Sequence, residues 1–258
     1  MILVFGSTGT VGREVVKELK ARGASFRTAE RDHVDYNGID KIFLLSPSVA
    51  DFEIATVNAA KAAGVKHVVK LSVLNAETEA FLFAKMIHRP VEKAIEQSGL
   101  AWTFLRPNGF MQNMANYSGA TIKSQGAFYQ AAGDGRVSHI DVRDIAVVAA
   151  AVLTESGHEG KAYPLTGPEA LTYYEVAEKI SKAAGREVKY VDLPPEQLKA
   201  GMLGAGVPEF YADWLLDLNR YFKEGGLSRV TDDVKRISGR DPITFDQYAT
   251  ENAAAFRE

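Results

Sequence analysis

Residues 2–12 read ILVFGSTGTVG: a short apolar run passes directly into glycines at positions 6, 9 and 12. Such a run is typical of a strand that is buried on both faces of a sheet. Val11, Val15 and Leu19 then recur at helical spacing, and Gly23 supplies a stop signal. The sequence therefore predicts a strand, a glycine-rich turn and a helix in immediate succession.

The glycine-rich turn suits the phosphates of a dinucleotide. Glycine is needed where the backbone turns tightly, where it approaches a pyrophosphate, and where a helix packs closely on a strand. The following helix offers free N–H groups and a partial positive charge. The alternative is a tight turn without a ligand. The predicted pyrophosphate site consists of Gly6, Ser7, Thr8, Gly9, Thr10, Val11 and Gly12.

Strand-like and helix-like segments alternate along the chain. Further strands are predicted at 25–30, 41–45, 67–72 and 101–106, and further helices at 51–63 and 90–97. This alternation predicts βαβ units and a parallel sheet with helices on both faces. The predicted fold class is α/β, a Rossmann-like doubly wound parallel sheet with a smaller C-terminal α/β region on the substrate side. The predicted regions are residues 1–157 and 158–258.

Two details refine this prediction. Only ten residues, 31–40, separate the second strand from the third, whereas a βα unit with a further strand takes ~30 residues. Either a crossover is reduced to a loop or a strand is missing at that sheet edge. Farther along, Asp144 is the predicted N-cap of a helix, and Thr172 with Glu175 forms a capping box for another.

Composition excludes several functional classes. The 258 residues contain no cysteine, which excludes disulfides and thiolate metal sites, and no His/Asp/Glu spacing typical of a metal site occurs. The net charge is −3 and the basic residues are scattered, which argues against a nucleic-acid partner. No apolar run long enough for a membrane span and no signal peptide is found. We expect a cytoplasmic monomer or homodimer that acts on a small-molecule substrate.

Four further segments occur in the order typical of one protein family: GVKHVVKLS (64–72), SGLAWTFLRPNGFMQN (98–113), GDGRVSHIDVRDIA (133–146) and YPLTGPEALTYYEVA (163–177). Together with the glycine loop, they make the chain resemble the NmrA-like atypical short-chain dehydrogenases/reductases over essentially its whole length. That family includes quinone, triphenylmethane-dye and isoflavone-type reductases and also non-catalytic NADP sensors.

The resemblance implies an NAD(P)H-dependent oxidoreductase that transfers a hydride to a small apolar acceptor such as a quinone or dye. Two alternatives stay open: a non-catalytic NADP-binding redox sensor or regulatory protein, and an isomerase or epimerase of the same fold.

The end of the second predicted strand bears on the choice of cofactor. It carries Glu30 and Arg31. A carboxylate at this place usually binds the ribose 2′-OH of NAD, whereas an arginine accommodates the 2′-phosphate of NADP. The resemblance puts the phosphate-binding arginine at Arg31, so NADP is predicted, with NAD as the alternative because of Glu30. Ser46, Pro47 and Ser72 end two neighbouring strands and are expected to touch the cofactor.

The catalytic residues follow from the resemblance. Residues 38–116 contain no tyrosine, so the Tyr-x-x-x-Lys pair of ordinary short-chain dehydrogenases is missing. The lysine of catalytic NmrA-like reductases falls at His88, with Lys85 as fallback and cofactor-binding candidate. Histidine can transfer protons near neutral pH, and Pro90 predicts that His88 begins a helix. The resemblance also places Asn108 near the nicotinamide and the substrate.

Aromatic residues are concentrated in one part of the C-terminal region. They could form the wall of an apolar pocket, but Trp214, Leu218 and Tyr221 have helical spacing, which favours core packing instead. The aromatic residues concerned are Tyr211, Trp214, Tyr221 and Phe222.

Overall fold

The computed structural model describes residues 1–29, 34–46 and 50–257. Glu30, Arg31 and Pro47, which are predicted to bind the cofactor, lie outside the described residues.

Two parallel sheets organise the described chain. The strands are β1 (Ile2–Val4), β2 (Phe26–Thr28), β3 (Lys41–Leu44), β4 (His67–Leu71), β5 (Ala101–Pro107), β6 (Ala127–Gln130), β7 (Lys161–Leu165) and β8 (Lys189–Asp192). The main sheet has the order β2-β1-β3-β4-β5-β7, and β6 pairs with β8 in a small second sheet. Every pairing is parallel. The predicted parallel sheet is confirmed.

Helices cover both faces of the main sheet. The described helices are α1 (Thr10–Ala21), α2 (Ala50–Ala62), α3 (Arg89–Ser98), α4 (Gly119–Gln125), α5 (Val142–Thr154), α6 (Tyr173–Ala184), α7 (Pro195–Gly204), α8 (Glu209–Lys223), α9 (Asp233–Ser238) and α10 (Phe245–Glu251). Helices α1 and α5 pack together and share one apolar core with the sheet. Helices α2 and α3 form the second core on the opposite face. The doubly wound arrangement is therefore confirmed. None of the described helices combines the length and apolar character that a membrane crossing requires.

Within residues 1–29, 34–46 and 50–257, the main sheet has no strand outside β2, unlike the usual doubly wound order. In the order 3-2-1-4-5-6, a third strand lies outside the second. Here β2 is the outer strand of the described sheet, and the chain continues from it to β3 on the other side of β1. Residues 34–40 contain no strand, and residues 30–33 lie outside the described residues, so both alternatives for residues 31–40 remain predictions. The winding direction reverses at β1, which makes the crevice above β1 and β3 the switch point.

The boundary predicted between residues 157 and 158 does not coincide with the division between the two sheets. β7 follows that boundary but pairs with β5 in the main sheet. β6 precedes the boundary but pairs with β8. The two structural units thus interleave along the chain, and separate domains remain a prediction.

One of the two predicted helix caps needs correction. Asp141, not Asp144, is the N-cap of α5, and its carboxylate accepts the Arg143 N–H at 2.9 Å. Asp144 lies inside the first turn, where it is buried and accepts the Ile243 N–H at 2.8 Å. Asp141 has the extended backbone that an N-cap requires, so the helix begins one turn earlier. The Thr172–Glu175 capping box of α6 is confirmed.

Candidate active site

The three glycines of the 6–12 loop differ in whether the backbone requires glycine at that position. Gly6 has φ +65°, and a Cβ there would lie 2.8 Å from the Leu45 carbonyl oxygen. A Cβ on Gly12 would lie 2.0 Å from the Gly6 carbonyl oxygen. These two positions require glycine for a tight turn and for close packing of α1. Gly9 is different, because a Cβ there would meet only the Gly6 oxygen, at 3.4 Å.

The N terminus of α1 is open to a ligand. Gly9 is the N-cap, no side chain caps the helix, and its first turn carries no acidic residue. The first N–H groups of a helix have no acceptor within it. Thr8, Gly9 and Thr10 are exposed and Ser7 is half-buried, whereas Val11 packs in the core. The loop can therefore present backbone N–H groups and the positive end of the helix dipole to a pyrophosphate.

Ser46 lies beside this loop at the carboxyl end of β3. Its N–H donates to Glu53 Oε1 at 3.1 Å. Glu53 forms an ion pair with Lys70, with Nζ and Oε2 3.0 Å apart and side chains only 2% and 1% exposed. The buried pair therefore positions the backbone of Ser46. The Ser46 hydroxyl is enclosed and has no hydrogen-bond partner among the described residues.

The Ser72 hydroxyl is hydrogen-bonded inside the protein. The hydroxyl donates to Glu92 Oε1 at 2.7 Å, and Glu92 is fully buried. Arg106 donates to the same carboxylate through Nε at 2.9 Å and a terminal nitrogen at 2.8 Å. A buried carboxylate needs such donors to offset its lost hydration. The structure thus directs the Ser72 hydroxyl into an internal cluster, which does not support the predicted hydroxyl contact with the cofactor.

Asn108 is also committed to internal contacts. It is 2% exposed. Its Nδ2 donates to Ser138 Oγ at 2.7 Å and to the Leu227 carbonyl at 2.8 Å, and its Oδ1 accepts the Gly109 N–H at 2.8 Å. The amide therefore holds the loop after β5 in place. This geometry supports a positioning role and does not support the predicted catalytic contact.

His88 is not at the beginning of a helix. The helical backbone starts at residue 82 and contains a π-helical turn, Ala84–His88, before α3. Pro90 explains the turn, because proline lacks an N–H and its ring clashes with the carbonyl four residues earlier. A π turn relieves that clash without ending the helix. The prediction from Pro90 was wrong because this proline lies within a continuing helix.

The surroundings of His88 do not favour proton transfer to a substrate. His88 is 8% exposed and packs edge-on against Phe83, with ring centroids 4.4 Å apart. Phe83 in turn packs edge-on against Trp214 at 3.9 Å. Burial and, to a smaller extent, the Lys70 charge hold the pKa of His88 well below its ordinary value. His88 is therefore a neutral member of an aromatic cluster, while Lys85 on the same turn is exposed.

A polar strap, which we define as residues 225–231, crosses the carboxyl edge of β4, β5 and β7. Side chains that follow β4, β5 and β6 donate to its backbone carbonyls. Asn75 Nδ2 donates to the Gly226 carbonyl at 2.7 Å, and Asn108 Nδ2 donates to the Leu227 carbonyl at 2.8 Å. Ser138 Oγ donates to the Arg229 carbonyl at 2.6 Å. At its end, the Thr231 N–H donates to Thr166 Oγ1 at 2.9 Å. Among the described residues, no hydrogen bond joins the strap to the segments that follow β1 and β3.

Sequence reasoning did not find Asn75. Its Nδ2 also donates to Tyr221 Oη at 3.1 Å, although the two residues are 146 positions apart. The backbone of Asn75 is left-handed, with φ 61°. Asparagine tolerates this conformation, but that signal alone does not indicate a contact with α8. Of the C-terminal aromatic residues, Phe222 is core, whereas Trp214 and Tyr221 are half-buried and Tyr211 is exposed.

A cavity of about 620 Å³ lies apart from these residues, between the end of β8 and α8. Asp192, Pro194, Asp217, Arg220 and Lys223 are among its lining residues. It contains no residue of the glycine loop and is therefore separate from the predicted pyrophosphate site.

Buried histidines should make the fold acid-sensitive. Burial lowers the pKa of His67 and of His139 to about 4, whereas an unfolded histidine titrates near ~6.5. Between these values the unfolded chain binds more protons, so this stability is complete above pH ~6.5 and is lost as the pH falls toward ~4. We expect urea unfolding at pH 5 to show a loss of about 2 kcal/mol per histidine relative to pH 7.5.

Two variants test the sign of this effect. His139→Gln should reduce the difference between pH 7.5 and pH 5. Asp144→Asn should enlarge it, because burial raises the pKa of Asp144 to about 6 and its protonation favours the folded state as the pH falls. A parent protein that is equally stable at both pH values would contradict the assignment.

The fold and the glycine loop define a doubly wound α/β protein, and the model of the NmrA-like family matches residues 37–249. The chain belongs to this family, as the resemblance predicted. It is 39% identical to the NAD(P)H azoreductase of Xenophilus azovorans, over 99% of both chains. That alignment spans 284 positions against 258 residues here, so it contains gaps.

Solved structures show the same fold. An NADPH-dependent quinone oxidoreductase of Escherichia coli, solved with NADPH, has a TM-score of 0.86 and 29% identity, over 98% of this chain and 99% of that one. The triphenylmethane reductase of Citrobacter sp., solved with NADP(H), has a TM-score of 0.80 and 26% identity, over 98% and 99% of the two chains.

Proposed function

We propose that this chain is an NAD(P)H-dependent oxidoreductase that transfers a hydride to a small apolar acceptor such as a quinone or dye. The observation that carries the proposal is the open, uncapped start of α1 beside Gly6 and Gly9, at the switch point of a parallel sheet. The azoreductase, quinone oxidoreductase and triphenylmethane reductase among its relatives support the nucleotide and the class of acceptor.

The residues present fit a dinucleotide. A Cβ at Gly6 or Gly12 would fill the turn that opens the helix N terminus, and no acidic side chain stands in its first turn. Residues 6–12 would hold the pyrophosphate, and Glu30 and Arg31 would bind the adenosine ribose and its phosphate. Ser46 and Pro47 would touch the cofactor at the end of β3. NADP is the proposed cofactor and NAD the alternative. When bound in its reduced form, the nicotinamide supplies the hydride.

The proposed acceptors suit the missing Tyr-x-x-x-Lys pair. Quinone reduction needs less help from a proton donor than ketone reduction, so correct placement of acceptor and nicotinamide provides much of the rate. We further propose a cytoplasmic monomer or homodimer without a nucleic-acid partner, in keeping with the net charge of −3. Size-exclusion chromatography with light scattering measures the oligomeric state directly.

Oxidation of NADPH and NADH should be followed at 340 nm with a panel of quinones, azo dyes, triphenylmethane dyes and simple carbonyl compounds. We expect turnover with members of the first three classes and little with the carbonyls. Tight NADPH binding without turnover of any acceptor would contradict the enzyme assignment and favour the sensor alternative.

Cofactor selectivity should depend on Arg31. Arg31→Ala removes a charge-assisted contact with the 2′-phosphate, so NADPH binding should weaken by about 1.5–3 kcal/mol while NADH binding changes little. Fluorescence titration with both nucleotides measures the two affinities. Glu30→Gln is the matched variant and should weaken NADH relative to NADPH. Equal losses for both nucleotides in Arg31→Ala would remove this residue from the phosphate site, and a parent that prefers NADH would give the selecting role to Glu30.

A further inference from the structure

Tyr221 stands at the carboxyl edge of the main sheet with a defined environment. Its ring stacks on Phe81, with centroids 4.9 Å apart and planes at 22°. Its Oη accepts the Asn75 Nδ2–H at 3.1 Å. The helix that carries it, α8, is fixed to the segment after β4 by Asp217, whose carboxylate accepts the Leu82 N–H at 2.6 Å. The hydroxyl position is therefore set by contacts on both sides of the ring.

The hydrogen-bond pattern leaves the hydroxyl proton of Tyr221 free. Asn75 Nδ2 also donates to the Gly226 carbonyl at 2.7 Å, and a carbonyl can only accept, so the orientation of the amide is fixed. An amide N–H that donates to Oη occupies a lone pair of that oxygen, and the O–H must point elsewhere. Within residues 1–29, 34–46 and 50–257, no hydrogen-bond acceptor for this proton is found.

Asn75 lies at the carboxyl edge of the main sheet. It comes four positions after Leu71, the last residue of β4. Its left-handed backbone, with φ 61°, is one that asparagine adopts readily. In doubly wound sheets, ligands bind at this carboxyl edge.

The same edge belongs to the nicotinamide half of the crevice. The glycine loop follows β1 and serves one mononucleotide half, so the other half lies toward β4 and β5. Asn75 follows β4, and Asn108, which follows β5, binds the neighbouring carbonyl of the strap. Tyr221 Oη is thus placed on the side where the hydride acceptor must lie.

The other candidate proton donors near this edge are buried or already hydrogen-bonded. His88 is 8% exposed and enclosed among aromatic rings, where its Nδ1 has no hydrogen-bond partner among the described residues. The Ser72 hydroxyl donates to Glu92, and both N–H bonds of the Asn108 amide are used internally. Tyr221 differs from all three because its oxygen is held and its proton is free.

We propose that Tyr221 is the proton donor to the acceptor, with Asn75 as its positioning residue; this inference rests on the proposed function. A quinone takes a hydride from the reduced nicotinamide at one atom and a proton from Tyr221 Oη at its oxygen. The quinone thereby gains two electrons and is reduced, while the dinucleotide is oxidised. The phenolate left on Tyr221 is stabilised by the Asn75 N–H and then takes a proton from water, which restores the hydroxyl.

The chemistry of two acceptors provides a selective test. Menadione needs a hydride and a proton, whereas the crystal violet cation becomes its neutral leuco form with a hydride alone. Tyr221→Phe keeps the ring on Phe81 and removes only the hydroxyl. We expect it to lower kcat for menadione by about 10-fold or more, with crystal violet reduction within twofold of the parent.

The matched control is Tyr211→Phe, on the same helix with a side chain that is 52% exposed; it should leave both reactions unchanged.

Asn75→Gly suits the left-handed backbone but lacks the amide, so it should slow menadione reduction selectively, though less than Tyr221→Phe. Three readouts are independent of turnover. Tyr221→Phe should leave the Kd for NADP⁺ and the Tm unchanged, and should weaken menadione binding to the NADP⁺ complex by about 3- to 10-fold, the loss of one hydrogen bond.

The outcomes separate the inference from the proposed function. Parental menadione turnover in Tyr221→Phe, or an equal loss with both acceptors, would overturn the role of Tyr221 while leaving the reductase assignment intact. A parent protein that reduces neither acceptor nor any other member of the panel would overturn the proposed function, and the role of Tyr221 with it.

Discussion

Gly9→Asp should abolish dinucleotide binding without harming the fold. A side chain fits at this position, since Gly9 has φ −76° and its added Cβ would meet only one atom, the Gly6 oxygen at 3.4 Å. Aspartate is also a favourable N-cap residue, so helix α1 should be as stable as before or slightly more stable. The carboxylate would, however, occupy the N–H groups and the space that the phosphates need. We expect the Kd for NADPH to rise at least ~100-fold, the effect of losing about two charge-assisted hydrogen bonds.

Fluorescence titration and thermal unfolding measure the two halves of this prediction. Gly201→Asp is the matched control, because Gly201 lies in α7 with no atom near its added Cβ; NADPH binding should be parental. Gly12→Ala, unlike Gly9→Asp, should lower the Tm, since its Cβ would lie 2.0 Å from the Gly6 oxygen. NADPH affinity within threefold of the parent in Gly9→Asp would exclude the loop as the phosphate site.

Lys70→Met should destabilise the protein strongly. Lys70 and Glu53 are 1% and 2% exposed, with Nζ and Oε2 3.0 Å apart. Lys70 also donates to the Leu71 carbonyl. Removal of the cation leaves the Glu53 carboxylate buried without its counter-charge, which costs about 3–5 kcal/mol. The midpoint of urea denaturation, converted to a free energy of unfolding, gives the effect.

A second substitution should restore most of that loss. Glu53→Gln in the Lys70→Met background removes the unpaired charge and keeps an oxygen that can accept the Ser46 N–H. Lys66→Met is the surface control, since Lys66 pairs with Asp40 at 3.0 Å but is 78% exposed; such pairs contribute little. A double variant as unstable as Lys70→Met would show that packing, not the unpaired carboxylate, causes the loss.

The sequence predicts the main sheet well because the signals for it are local. An apolar run followed by a glycine turn indicates β1 and α1 within twenty residues or so. The ten-residue gap at 31–40 predicts that either a crossover is reduced to a loop or an edge strand is missing. The cap of α5 was misplaced by one turn because Asp141 and Asp144 are both suitable residues, and only the backbone of Asp141 is extended.

The candidate site is harder to predict because its side chains form hydrogen bonds with residues that are far away in the sequence. Asn108 follows β5 as expected, but its amide donates a hydrogen bond to the Leu227 carbonyl, more than a hundred residues later. Pro90 indicates a helix start by itself, whereas the structure extends that helix backward through a π turn. The contact between Asn75 and Tyr221 has no local signal at all, since each residue alone fits a turn or a helix face.

The interleaving of the two sheets has a consequence for synthesis on the ribosome. β5 pairs with β4 on one edge and with β7 on the other. A nascent chain that has emerged as far as residue 157 can pair the first five strands of the main sheet, yet the outer edge of β5 stays open. An unpaired sheet edge invites association with other chains. Completion of the sheet must therefore wait for β7, and a fragment that stops at residue 157 would carry this exposed edge permanently.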